Sequence, residues 1–235
     1  MSKAASICHV DRLELTVTQQ PWAFADARRA EIDAWFAALQ REKPAIWNGR
    51  VLLLREHALA AGVFRGRYLE SGYANFAAWR AWGRPPAAVC DCFGAAAIAT
   101  ADGAFLLGVM GPHTANAGRI YFPCGTPDPK DIVGGRVDLD FSVRRELKEE
   151  TGFDVTEFTA EAGWTTVFDM PLIAHIKLLR SSESAEALRA RALDYLARER
   201  QPELADIRIV RGPADVVPAM PHFVAAFLAQ RFAVR

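Results

Sequence analysis

Three glutamates, Glu146, Glu149 and Glu150, crowd into the stretch R-E-L-K-E-E-T-G-F that runs from Arg145 to Phe153. At about 100° of rotation per residue, an α-helix would put Glu146 and Glu150 one turn apart on one face, with Glu149 on the flank three residues from Glu146. Like charges at that spacing cost an isolated helix roughly a few tenths of a kcal/mol per pair, so the cluster calls for compensation. Arg145, four residues before Glu149, offsets one charge. Two readings of the remainder stay open. Oxygen ligands within reach of one point suit Mg²⁺ or Mn²⁺, hard ions that also bridge substrate phosphates. A solvated, salt-bridged helix face is the commoner fate of such a charge run when spacing alone is considered.

The elements that must hold this cluster can be read outward from it. Val143 and Leu147 form an apolar stripe beside the carboxylates, which anchors a helix over residues 139 to 151; Gly152 ends it and Phe153 packs back. The preceding stretch, RIYFPCGTPDPKDIVGGRVDL, is rich in proline and glycine and reads as a structured loop. Before that, GAAAIATADGAFLLGVM forms two strands around the Asp102-Gly103 turn. After the cluster come a buried strand LIAHIKLL, an amphipathic helix SAEALRARALDYLARER, a strand DIRIVR and a closing helix PHFVAAFLAQRF. The N-terminal third shows a half-buried strand through Leu13, Leu15 and Val17, then a helix whose Ile32, Trp35, Phe36 and Leu39 share a face. Two further strands and a short helix ending at Gly83 complete it. Pro85 and Pro86 mark a boundary, giving an α+β unit at 1–86 and a second domain at 87–235. Alternating strands and helices predict an α/β/α sandwich.

Composition narrows the partners. Hydrophobic residues make up 51% of the chain and charged residues 24%, ordinary for a folded domain. Lys plus Arg (28) balances Asp plus Glu (28), so no general field attracts a polyanion and nucleic acid is not expected as a partner. A small anion needs a local site. No leader or membrane-spanning stretch is evident, which points to the cytoplasm. Cys8, Cys90, Cys92 and Cys124 lack zinc-ligand spacing and read as buried thiols. His9, His57, His113, His175 and His222 are scattered; His113 lies in a loop from which it could reach a phosphate, and His175 alternates within an apolar strand as a core residue. No Ser-His-Asp set or lysine-bearing glycine loop appears.

The segment R-E-L-K-E-E-T-G-F resembles the core of the Nudix box, R-E-U-x-E-E-x-G-U with U apolar, at Arg145, Glu146, Leu147, Glu149, Glu150, Gly152 and Phe153. YFPCGTPDP resembles the loop that precedes the box in that family, and the likeness spans roughly residues 90 to 235. It implies a Nudix-type sandwich with a mixed sheet that hydrolyses the pyrophosphate bond of a nucleoside diphosphate linked to another group. By the same resemblance, Glu146, Glu149 and Glu150 hold Mg²⁺ or Mn²⁺ and Arg145 orients a glutamate. The general base is Glu149 or Glu150, or one of Glu161, Glu199 and Glu203 from a later segment. The chain is similar to the UDP-sugar-cleaving branch, so nucleotide-sugars lead as substrates, with ADP-ribose or a dinucleotide next. Family members are often homodimers. The upstream half of the box departs: Asp131 stands at its glycine, Val137 at its first glutamate, and Cys124 at a common loop glycine, with either Asp138 or the glycines Gly134 and Gly135 expected to take over the lost roles. That departure favours the alternative of a nucleotide-binding sensor without turnover. Trp164 and Phe168 are expected either to stack on a base or to lie in the core, and Trp47, Asn48 and Gly49 to form a turn.

Overall fold

A computed structural model describes residues 5–44 and 46–233. The chain opens with strands β1 (Ser6–Val10) and β2 (Arg12–Thr18), helices α1 (Ala23–Ala27) and α2 (Arg29–Glu42), the hairpin of β3 (Arg50–Ala60) and β4 (Val63–Gly72), and helix α3 (Tyr73–Ala81). Strands β5 (Asp91–Ala99), β6 (Phe105–Met110), β7 (Ile120–Tyr121), β8 (Ile132–Val133) and β9 (Arg136–Val137) lead into helix α4 (Leu139–Thr151). Then follow β10 (Thr159–Ala160), β11 (Trp164–Asp169), β12 (Leu172–Arg180), α5 (Ala185–Leu196), β13 (Leu204–Val210) and α6 (His222–Ala233). The class is α/β. Residues 1–4, part of the N-terminal stretch read for a leader, lie outside the described residues. No described helix is long and apolar enough to cross a membrane.

Contacts divide the chain into two units that a single cut does not separate. One takes the chain up to Arg12, Phe93–Gly125 and everything from Leu139; the other takes Leu13–Cys92 and Thr126–Asp138. The first is built on an eight-stranded sheet with the path β1-β11-β12-β5-β6-β13, to which β10 and β7 attach at β12 and β6. All nine residues of β5 are buried, as a strand flanked on both edges and covered on both faces must be. Phe93 meets Phe223 of α6, ring centroids 5.5 Å apart. The next residue, Gly94, lies against Val143 and Leu139 of α4. Successive strand residues point to opposite faces, so α6 and α4 cover opposite sides and the layering is α/β/α. Phe227 of α6 fills its side against Phe105 and Phe122.

The second unit carries a five-stranded sheet in the order β3-β4-β2-β9-β8 and a core of Trp22, Ile32, Val51, Leu53, Leu69, Phe76, Trp79 and Val89. The helix expected through Ile32, Trp35, Phe36 and Leu39 is α2, and a break at Arg28 separates it from α1. The Pro85-Pro86 stretch, read as a joint between consecutive domains, is bound inside this unit: the indole of Trp79 donates to the Pro85 carbonyl (2.8 Å) and that of Trp22 to the Ala87 carbonyl (2.9 Å). Asn48 Oδ1 accepts the Ala74 amide at 3.2 Å and the Gly49 carbonyl accepts that of Tyr73 at 2.9 Å, so the Trp47-Asn48-Gly49 stretch caps α3. The proline-rich loop before α4 is not wholly irregular. It contains β7 and a β8–β9 hairpin that turns on Gly134 and Gly135, whose φ of 57° and 78° suit glycine.

Candidate functional site

Helix α4 places the three glutamates in three different environments. Its buried face, Leu139, Ser142, Val143, Leu147 and Glu150, packs inward, and the register set by Val143 against Gly94 fixes how each carboxylate is presented. Glu150 is 3% exposed. The Glu146 side chain is 12% exposed and that of Glu149 60%. The helix ends where Gly152 takes φ 76°, and Lys148 Nζ covers the Gly152 carbonyl at 3.0 Å. From α5, the Tyr195 ring lies against Gly152, and its hydroxyl donates to the Glu149 carbonyl at 3.2 Å.

A loop completes the enclosure. Ala96 donates to the Pro123 carbonyl at 2.9 Å, and Ala95 bridges to Cys124, so the central strand β5 holds Pro123–Gly125 in place. The Cys124 amide donates to the Glu150 carboxylate. Gly125 lies so close to Glu146 that a β-carbon there would sit 2.2 Å from Oε1; only glycine permits this approach. Arg145 Nη1 reaches Glu146 Oε1 at 2.8 Å and Glu149 Oε2 at 3.1 Å, a charge-assisted tie that orients both carboxylates.

The electrostatics single out Glu150. Burial, then the negative charges of Glu146 and Glu203, push its pKa well above the ordinary carboxylate range, against the opposing Cys124 amide. Its Oε2 is buried and has no hydrogen-bond partner among the described residues. The carboxylates repel one another, yet among the described residues no three His, Cys, Asp or Glu side chains are placed to hold a metal ion. A divalent cation nonetheless fits the chemistry of the donor set: it would take up the bare oxygen and offset the repulsion.

No protein-family model matches the chain, and no curated protein matches it. Among the solved structures similar to it is the crystal structure of a Nudix hydrolase from M. smegmatis, RenU, with a TM-score of 0.39 and 16% identity, over 61% of this chain and 83% of that one.

The remaining sequence candidates are placed as follows. Of the three later glutamates, Glu203 acts on Glu150 through its charge. Glu161 is instead paired with Arg180 (2.7 Å) and Arg231 (3.3 Å), and Glu199 interacts with Tyr195. Asp131 is a buried loop staple, its Oδ2 accepting the Asp128 amide at 3.0 Å and its carbonyl that of Asp138 at 2.8 Å. It belongs to the five-strand unit, with Gly134, Gly135, Val137 and Asp138. Trp164 is not a stacking platform: it is 4% exposed and its ring already carries Lys177 Nζ at 4.0 Å from the centroid. Phe168 is half-buried. His175 is fully buried and bonded to Thr166 at 2.8 Å, a core residue; His113 is exposed. Of the four cysteines only Cys90 and Cys92 are buried, Cys8 and Cys124 being half-buried; burial pushes the Cys90 thiol up to about 11. The Cys124 amide and Gly125 were not foreseen as site groups. The available signal was a glycine one residue past Cys124 in the proline-rich loop before the helix.

Proposed function

We propose that the chain is a metal-dependent hydrolase of the pyrophosphate bond in nucleoside diphosphates linked to another moiety, with nucleotide-sugars as the leading substrate class. The observation that carries this reading is the bare, buried Oε2 of Glu150 beside further carboxylates on a helix that bears R-E-L-K-E-E-T-G-F. A structural helix face has no reason to sink a carboxyl group at 3% exposure with one oxygen unpartnered, because leaving a buried polar atom unsatisfied is costly. Glu146, Glu149 and Glu150 would hold Mg²⁺ or Mn²⁺. When bound, such an ion neutralises a diphosphate and acidifies a water molecule.

The chain's own residues supply the rest. Arg145 restrains Glu146 and Glu149, and the Cys124 amide restrains one oxygen of Glu150, so the donor set is largely oriented before substrate arrives. Glu203, exposed beside the cluster, is the carboxylate available to accept a proton from the attacking water. The test is a panel of nucleotide-sugars, ADP-ribose and dinucleotides with and without Mg²⁺. Release of a nucleoside monophosphate only with the metal, and its loss in Glu150→Gln and Glu149→Gln, is the expected result.

A second reading, a nucleotide-binding sensor without turnover, is favoured by one observation: the three carboxylates do not already converge as a cage. Tight nucleotide binding with no product across the whole panel would select it.

A further inference from the structure

The outward face of the five-strand sheet carries an open groove of about 550 Å³, within the size range of small-molecule sites. Strand alternation builds it. On β4, Phe64, Gly66 and Tyr68 point to the core while Arg65 and Arg67 point out. Register sets Glu56 of β3 opposite Arg67, and Thr16 of β2 opposite Arg136 of β9. Gly66 turns inward, where a β-carbon would meet Leu15 and Leu54 at 2.8 Å. Arg65, Arg67 and Arg136 therefore line one groove, with Glu14 on the strand between those of the arginines and Glu56 on the strand beyond Arg67.

The charges are unevenly satisfied. Arg65 Nε holds Glu14 at 2.8 Å and Arg67 Nη1 holds Glu56 at 3.1 Å. Both guanidiniums remain more than half exposed, at 54% and 56%, with donors to spare. Arg136 is exposed and has no carboxylate partner among the described residues. Arginine only donates and an ionised carboxylate only accepts, so a complementary ligand must offer both an anion and hydroxyl donors. In a chain with no net charge, this local excess, and not a general field, would recruit the anion.

We propose that the groove is a binding site for a phosphorylated polyol of the sugar-phosphate class, its phosphate held by Arg136 with Arg65 and Arg67, its hydroxyls donating to Glu14 and Glu56. The site is separate from the α4 cluster, and the proposal does not depend on the hydrolase reading. Glucose 1-phosphate titrated into metal-free full-length protein, followed by ligand-observed NMR and calorimetry, tests it. Saturable binding is expected, weakened tenfold or more in Arg136→Ala, partly restored in Arg136→Lys, and unchanged in Glu150→Gln. Glucose and inorganic phosphate should each bind more weakly than the ester. No saturable binding by the parent chain, or equal binding by Arg136→Ala with an unchanged circular dichroism spectrum, overturns the proposal. Loss of binding in Glu150→Gln also overturns it, by moving the ligand to α4. Should Arg136→Ala unfold, Arg136→Lys decides: binding equal to the parent in that variant and in Arg67→Ala counts against the site.

Discussion

Glu150 sets folding against the metal binding proposed for it. Its pKa is raised by burial and by the charges of Glu146 and Glu203, so the native state holds the proton more tightly than the unfolded chain does. Its contribution to the stability of the metal-free protein is then fully present below the ordinary glutamate pKa and is lost as pH rises through the raised value. Where it is ionised, Glu150→Gln removes the charge while keeping an acceptor for the Cys124 amide. There it should stabilise the metal-free chain by about 1–3 kcal/mol, the usual scale for an unsatisfied buried group, and flatten the decline with pH. Thermal melts across pH measure this, and Mg²⁺ should raise Tm for the parent but not for the variant; a variant that melts lower at every pH would refute the account. Gly125→Ala tests the opposite wall: with 2.2 Å between the new carbon and Glu146 Oε1, the carboxylate must move, and kcat/KM should fall tenfold or more. That the three glutamates share one helix was legible in R-E-L-K-E-E-T-G-F, because residue type and helical spacing are local properties. Their exposures of 12%, 60% and 3% were not, since these depend on where the Pro123–Gly125 loop lies.

Helix α4 was expected over residues 139 to 151 and forms over Leu139–Thr151, because an apolar stripe, a polar face and a terminal glycine all speak for the same element. The strands that escaped notice share a different character. Ser6–Val10 is five residues long and owes its form to pairing with β11, from Ser6↔Phe168 to Val10↔Trp164, a contact that no local pattern reveals. The two-residue strands β8 and β9 sit among prolines and glycines whose signal is for loops. Gly152 carries the clearest element-level prediction. Gly152→Ala places a side chain at φ 76° and 2.5 Å from Tyr195 Cγ, so it should cost about 1–3 kcal/mol in denaturant unfolding. Tyr195→Ala in the same background should recover only the contact part and leave the backbone strain.

For the whole molecule, the alternation of strands and helices made the α/β class readable, while the path between units was not, because a reader of sequence assumes that a unit is continuous. The chain passes between its two units at Arg12/Leu13, Cys92/Phe93, Gly125/Thr126 and Asp138/Leu139. A fragment of residues 87–235 would therefore lack β1, leaving β11 with an open edge, and would separate β9 from its partner β2. Open edges invite aggregation. The fragment should melt below the full chain or elute as aggregates in size-exclusion chromatography; a monomer as stable as the parent would contradict this.

The same edge strand has a consequence for biosynthesis. Ser6–Val10 leaves the ribosome about 160 residues ahead of the strand it must join. At roughly 5–20 residues per second, it waits about 8–30 s without its mate, a window in which a nascent-chain chaperone has a hydrogen-bonding ribbon to hold.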